Sequence, residues 1–168
     1  MKYQSTGKYR VDFTAYAPMH TFKGQTTKGI HAEIDIDFER QTIRHARACA
    51  DVNFFTAGDS DRTAAMKEFM TVERFPEAAV EMAQCRTFEK IDDTRFRVSV
   101  LAVLEFMGVR RQLPVSFTIT LEKKLMRIDL SFKWSFSAYG IKAPRLLFLT
   151  VRDIVDIKGT GDFFPAGE

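Results

Sequence analysis

Five alternate positions in one stretch, His45, Arg47, Cys49, Asp51 and Asn53, carry side chains that could do chemistry. Spaced by two, they would share one face of an extended strand. Turned into a cavity, they would form a polar ladder able to meet a ligand headgroup. Arg47 would suit a phosphate or carboxylate, because a guanidinium offers paired donors. The same stretch has a second face, Ala46, Ala48, Ala50, Val52 and Phe54. If that face points inward, the polar set is merely solvated. A bulge or a one-residue shift of register exchanges the two outcomes, so both stay open.

Other reactive side chains form no familiar constellation. His31 and His45 fall on neighbouring strands, on opposite faces under a simple turn register, and His20 falls in a loop, so no metal site is expected. Cys49 and Cys85 lack metal-ligand spacing and a disulfide framework, which leaves two free buried thiols as the expectation. The chain contains no nucleophile elbow, HExxH or phosphate loop. Gly159-Thr160-Gly161 follows the last strand pattern with no helix after it, so it is not a dinucleotide fingerprint. Catalysis is not expected.

The elements that would position these groups are strands. Ile30, Ala32, Ile34, Ile36 and Phe38 alternate with His31, Glu33, Asp35, Asp37 and Glu39. After a turn at Arg40-Gln41, a second strand is expected from Thr42 to Phe55, with Asp37 opposite Arg44. Ala64 to Met70 breaks the alternation with helix formers, and Asp59 to Asp61 can cap a short helix running from about Asp61 to Met70. Further strands are expected at Ala79 to Glu89, Arg95 to Met107, Gln112 to Glu122, Met126 to Ser137 and Leu146 to Lys158, with Gly159 to Glu168 a loose ending.

The clearest pair is a hairpin. Phe96, Val98, Val100, Ala102, Leu104 and Phe106 alternate before Gly108, and Leu113, Val115, Phe117, Ile119 and Leu121 alternate after it. Gly108 supplies positive φ, and Arg110 and Arg111 keep the turn wet. Successive antiparallel strands with one helix lack a βαβ rhythm, which excludes a parallel sheet and fits an up-and-down barrel.

The 168 residues suit a single domain, 1–168, with its core at about 9–158. A hydrophobic content of 45%, with 16 Phe, leaves much apolar surface to bury. The 25 basic and 22 acidic residues are interspersed along the strands, which gives nucleic-acid binding little support. Met1 to Lys8 has no apolar stretch of signal-peptide length, and no later run approaches a membrane span. As the sequence stands, a cytoplasmic protein without an integral membrane segment is expected.

The hairpin segment Leu104 to Val115, read with Thr56-Ala57-Gly58-Asp59-Ser60-Asp61-Arg62, Arg74-Phe75-Pro76-Glu77 and Ser137-Ala138-Tyr139-Gly140-Ile141-Lys142-Ala143-Pro144, resembles the YceI-like proteins, a bacterial family. The likeness runs from Tyr9-Arg10-Val11-Asp12 to about Ile157. It implies an all-β, antiparallel, lipocalin-like barrel of about eight strands with one short helix. Asp12, Asp59, Asp61 and Arg62 match family positions near a loop and a helix start, where capping is the expected role. The family's register would turn His45 to Asn53 inward, where its members usually carry apolar or small residues. Many members are exported, so a periplasmic mature form is the alternative compartment.

The resemblance also implies a ligand. YceI-like proteins are associated with polyisoprenoids such as quinones or prenyl phosphates, so the expected function is non-catalytic carriage or sequestration of an amphiphilic lipid, with no obligatory cofactor. A hydrocarbon leaves water at about 0.8 kcal/mol per methylene, so an apolar lining suffices. The expected lining is Ile34, Ile36, Phe54, Val100, Leu104, Phe106, Phe117, Phe132, Trp134 and Phe136, with Phe69 and Met70 over one barrel end and Arg47 at the headgroup. A solid-core, stress-related protein acting through surface partners or as a homodimer is the alternative.

Overall fold

A computed structural model describes residues 1–167. The strands are β1 (Lys2–Ala17), β2 (His20–Thr26), β3 (Ile30–Asp37), β4 (Thr42–Asp51), β5 (Glu77–Lys90), β6 (Arg95–Phe106), β7 (Val109–Glu122), β8 (Leu125–Ser135), β9 (Arg145–Leu146), β10 (Leu149–Thr150) and β11 (Ile154–Pro165). The helix α1 is Ser60–Phe69, and 3-10 turns occupy Val52–Phe54 and Ser137–Tyr139. Strands run in the order β11-β8-β7-β6-β5-β4-β3-β1, and β11 also pairs with β1. The result is a closed eight-stranded antiparallel barrel, with β2 as an extra strand on β1.

The period-two pattern explains the wall. Phe96, Val98, Val100, Ala102 and Leu104 of β6 are buried, as are Leu113, Val115, Phe117 and Ile119 of β7. Their register, Val100 against Val115 and Phe106 against Val109, leaves Met107 (φ 51°) and Gly108 (φ 77°) as a two-residue turn. Positive φ at both positions matches the twist of the strands it joins.

Bulges hold the apolar set inward elsewhere. In β5 the register shifts between Met82 and Gln84 and again between Cys85 and Thr87. Val80, Met82, Cys85 and Phe88 thereby stay opposite Leu104, Ala102, Val100 and Val98. Where β1 leaves β3, two β3 amides lose a strand partner. The Tyr9 hydroxyl accepts from Ile30 N–H at 3.0 Å and the Ser5 hydroxyl from Ala32 N–H at 3.0 Å, which satisfies both.

Several expectations are corrected. The strand from Thr42 ends at Asp51, where Asp51 caps the 3-10 turn by accepting from Asn53 N–H. Asp37 pairs with Thr42, and a bulge places Arg44 between the pairs Asp35–His45 and Ile36–Ile43. Arg44 still reaches Asp37 at 2.9 Å, as a salt bridge across the bulge. The same bulge brings His31 and His45 to one face, opposite Cys49 and Asp35 respectively. The expected strand Leu146 to Lys158 is the β9–β10 hairpin and the start of β11. Gly159 to Pro165 is strand, paired with β8 as far as Phe163 and with β1 as far as Pro165.

At the other end β1 begins at Lys2, and Tyr3 is buried between Ile34 and Pro165, so strands extend beyond the expected 9–158 on both sides. His20 opens β2 and is not in a loop. Cys49 and Cys85 are free but only half-buried. Among the described residues, no helix is long and apolar enough to cross a membrane.

Candidate functional site

The register of β4 decides which face of the ladder looks inward. Ala46, Ala48 and Ala50 pair with Ile34, Ala32 and Ile30, and Ile34 is buried. Those alanines therefore face the interior. His45, Arg47, Cys49 and Asp51 alternate with them on the outer wall, and Asn53 lies in the 3-10 turn. The inward polar ladder that the family register implied is not present, because Arg44 takes up one residue in the bulge. His45 Nε2 instead lies 3.3 Å from Glu33 Oε1 on the exterior.

The alanines leave room. A cavity of about 100 Å³ sits mid-barrel, lined on one side by Ala32, Ile34, Ala46, Ala48, Val80, Met82 and Ala102, and on the other by Val100, Val115, Phe117, Ile128, Leu130 and Phe163. Glu33 and Arg47, paired across β3 and β4, also border it. β4 and β5 pair over Arg47–Asp51 and Glu77–Glu81, so Arg47 stands at the last rung of that seam. Below it Phe38, Phe88 and Phe96 cluster with ring centroids 5.2–6.4 Å apart.

Of the residues expected at a ligand, Ile34, Val100 and Phe117 line the cavity, and Arg47 borders it from the outer wall. Ile36 and Leu104 are buried core. Phe106, Trp134 and Phe136 form an aromatic plug above the cavity, with Trp134 centroids 5.5 Å from Phe106 and 4.7 Å from Phe136. Phe69 packs edge-on against Phe136 at 6.1 Å, so α1 covers this end, with Met70 as its C-cap. Phe132 is half-buried against the core. Phe54 is 47% exposed and lies against Gly29, outside the barrel, because the chain has left the strand by then.

The expected lining lacked Ala32, Ala46, Ala48, Ala102, Val80, Met82, Val115, Ile128, Leu130 and Phe163, although the reading that turns Ala46, Ala48 and Ala50 inward holds. The available signal was small residues at consecutive inward positions of adjacent strands, Ala32 beside Ala46, Ala48 and Ala50. A wider, open depression of about 470 Å³ runs along the start of α1, lined by Thr56, Gly58, Asp59, Ser60, Thr63, Ala64 and Lys67. Two of its polar groups are engaged by backbone amides: Asp59 accepts from Arg62 N–H at 2.8 Å and Thr63 Oγ1 from Ala57 N–H at 2.9 Å.

The YceI-like domain family matches residues 5–163. The chain belongs to the YceI-like family. Among solved structures, BcnA of Burkholderia cenocepacia superposes with a TM-score of 0.74 at 16% identity, covering 92% of this chain and 95% of that one. A polyisoprenoid-binding domain from Saccharophagus degradans gives 0.76 at 15%, covering 98% of both chains. The Campylobacter jejuni YceI protein gives 0.67 at 14%, covering 86% and 85%. At these identities the likeness establishes the fold. None of the curated proteins compared with the chain matches it.

In this YceI-like barrel three of the short segments that carried the resemblance, around Phe75, Gly108 and Tyr139, gather at one end. Phe75 lies against Gly108, Arg111 Nε donates to Ala138 O at 3.0 Å, and Tyr139 Oη donates to Leu104 O at 2.8 Å. Burial pushes the Tyr139 phenol up to about 12. Asp153 is held below the usual carboxylate range by the Ser135 hydroxyl and the Ser137 N–H, and Asp156 by the Lys133 ammonium and the Tyr16 hydroxyl. Among the described residues, no group of three His, Cys, Asp or Glu side chains could hold a metal ion.

Proposed function

We propose that the barrel is a non-catalytic carrier for an amphiphilic lipid of isoprenoid type, held with its chain in the interior. The observation that carries this reading is the cavity walled by alanines on β3, β4 and β6 against Phe117, Leu130 and Phe163. A hydrocarbon placed there needs no polar code, since each buried methylene contributes about 0.8 kcal/mol. A dry cavity of about 150 Å³ is known to hold one benzene, so about 100 Å³ holds only part of an isoprenoid. The longer chain would displace the Phe69–Phe136 contact or open the β4–β5 seam.

Arg47 would meet the polar end at that seam. Its cross-strand neighbours are Glu33 and Glu81. Two carboxylates beside one guanidinium oppose an anionic pyrophosphate, so a neutral carbonyl head such as a quinone fits better. The polyisoprenoid-binding domain of Saccharophagus degradans shares the fold and supports the lipid class. The non-catalytic reading is supported by Asp153, Asp156 and Lys133, whose displaced protonation follows from hydrogen bonds with Ser135, Ser137 and Tyr16 and from the Lys133–Asp156 pair.

Native mass spectrometry of the purified protein, followed by organic extraction, tests the proposal. A stoichiometric isoprenoid with a neutral head is the expected result. A clean apo mass that also refuses added quinone would replace the carrier with a solid-core protein working through surface partners, a reading favoured by the aromatic packing of Phe106, Trp134, Phe136 and Tyr139.

A further inference from the structure

Leu147 and Phe148 form the two-residue turn between β9 and β10, with φ of 52° and 63°. Such a turn ordinarily takes Asn-Gly, because positive φ brings a side chain's Cβ close to the backbone. Here the positions hold two bulky apolar residues that are 57% and 93% exposed. Leu146, beside them, packs against the core, so the hairpin is anchored while its tip is left in water. Folding alone gives no return for the strained backbone or for the exposed side chains.

The charge around the tip is one-sided. From Ile141 to Arg152 the segment carries Lys142, Arg145 and Arg152, all exposed, and no acidic residue. Arg145 Nη2 donates to the Phe148 carbonyl at 3.3 Å, which holds a cation beside the tip. Met19, fully exposed with φ 63° in the β1–β2 turn, lies at the same end of the barrel, where Arg152 N–H donates to Tyr16 O at 2.7 Å.

We propose that the β9–β10 tip docks this protein on an anionic lipid bilayer, with Leu147 and Phe148 in the interfacial layer and Lys142, Arg145 and Arg152 against the headgroups. An apolar tip collared by cations is the pattern that interfacial insertion rewards, one part gaining from burial and the other from the negative surface. A protein partner fits less well, because two side chains fall far short of the roughly 800 Å² per side that a stable interface buries. The proposal does not depend on what the barrel holds.

The test is co-sedimentation of the full chain with vesicles of phosphatidylcholine alone or mixed with phosphatidylglycerol, with thermal melting of each variant. The wild type should bind the anionic vesicles, less so as salt rises, and bind phosphatidylcholine weakly. Leu147→Asn with Phe148→Gly should weaken binding by at least about tenfold, yet raise Tm, because Asn-Gly suits the turn. Lys142→Gln with Arg145→Gln should abolish the preference for the anionic lipid. Absence of wild-type binding, or undiminished binding of the Asn-Gly variant, would overturn the proposal. A wild-type dimer dispersed by the Asn-Gly variant, with no vesicle binding, would overturn it in favour of a second copy.

Discussion

The Tyr139 hydroxyl donates a buried hydrogen bond to the Leu104 carbonyl, 2.8 Å away and 35 residues earlier. It ties the 3-10 turn after β8 to the end of β6, on the strand edge where the aromatic plug begins. Tyr139→Phe removes that buried bond while the strand ladder of β6 remains, and it is expected to cost about 1 kcal/mol. The phenol is raised from 10 to about 12 by burial, so the folded state keeps its proton when the unfolded state has lost it. Stability from this group is therefore complete below pH 10 and falls as pH rises toward about 12. Melting curves across that window should slope less steeply for Tyr139→Phe than for the wild type; equal slopes would mean that other groups carry the alkaline loss.

Ala48 faces Ala32 on one side and Val80 on the other, at the cavity wall. Ala48→Leu adds three carbons to space that is already empty, so the usual overpacking cost of about 1–3 kcal/mol should be largely offset by burial of about 0.8 kcal/mol per carbon. The expected outcome is a Tm within a few degrees of wild type with affinity for an added quinone lowered about tenfold. Unchanged affinity would place the ligand outside the interior.

Much of the barrel was legible because period two survives in β3, β6, β7 and β8, where one face is buried and the other wet. The expected lining failed where that period breaks. Arg44 in its bulge, Ala83 and Arg86 in β5, and the 3-10 turn at Val52 each shift the inward set without a single-residue mark in the sequence. Phe54 was misplaced for that reason, while the choice between the alanine face and the polar face of β4 stayed open because the bulge at Arg44 decides it. The closing strand was hidden too: Gly159 and Gly161 read as a loose end, yet Gly159 admits Leu130 of β8 at 3.3 Å from where a Cβ would stand.

Trp134 is the chain's only tryptophan, and its buried Nε1–H has no acceptor among the described residues. A buried donor without a partner costs about 1–3 kcal/mol, so Trp134→Phe, which removes it and keeps a ring, should cost less than about 2 kcal/mol. Denaturant midpoints measure this. A loss of about 3–5 kcal/mol, the range of a full aromatic truncation, would reveal a partner for the N–H. Fluorescence gives a second reading: emission should be that of an apolar site and should be quenched when a quinone enters below the plug.

Phe75 and Gly108 belong to two separate short segments that meet at the barrel end. A Cβ on Gly108 would stand 2.7 Å from the Phe75 ring, and the backbone there has φ of +77°. Gly108→Ala therefore meets two penalties, a left-handed conformation that costs an L side chain roughly 1–2 kcal/mol and a ring that must move. The ring sits on the turn after α1, where Phe75 N–H donates to Thr71 O at 2.9 Å, so it cannot retreat freely. Removing it with Phe75→Ala abolishes the clash and leaves only the conformational cost. Urea denaturation of both single variants and the double should then show the double less destabilised than the sum by at least about 0.5 kcal/mol. Strict additivity would mean that the ring does not rest on the glycine, and that the helix end is held to the β6–β7 turn by something else.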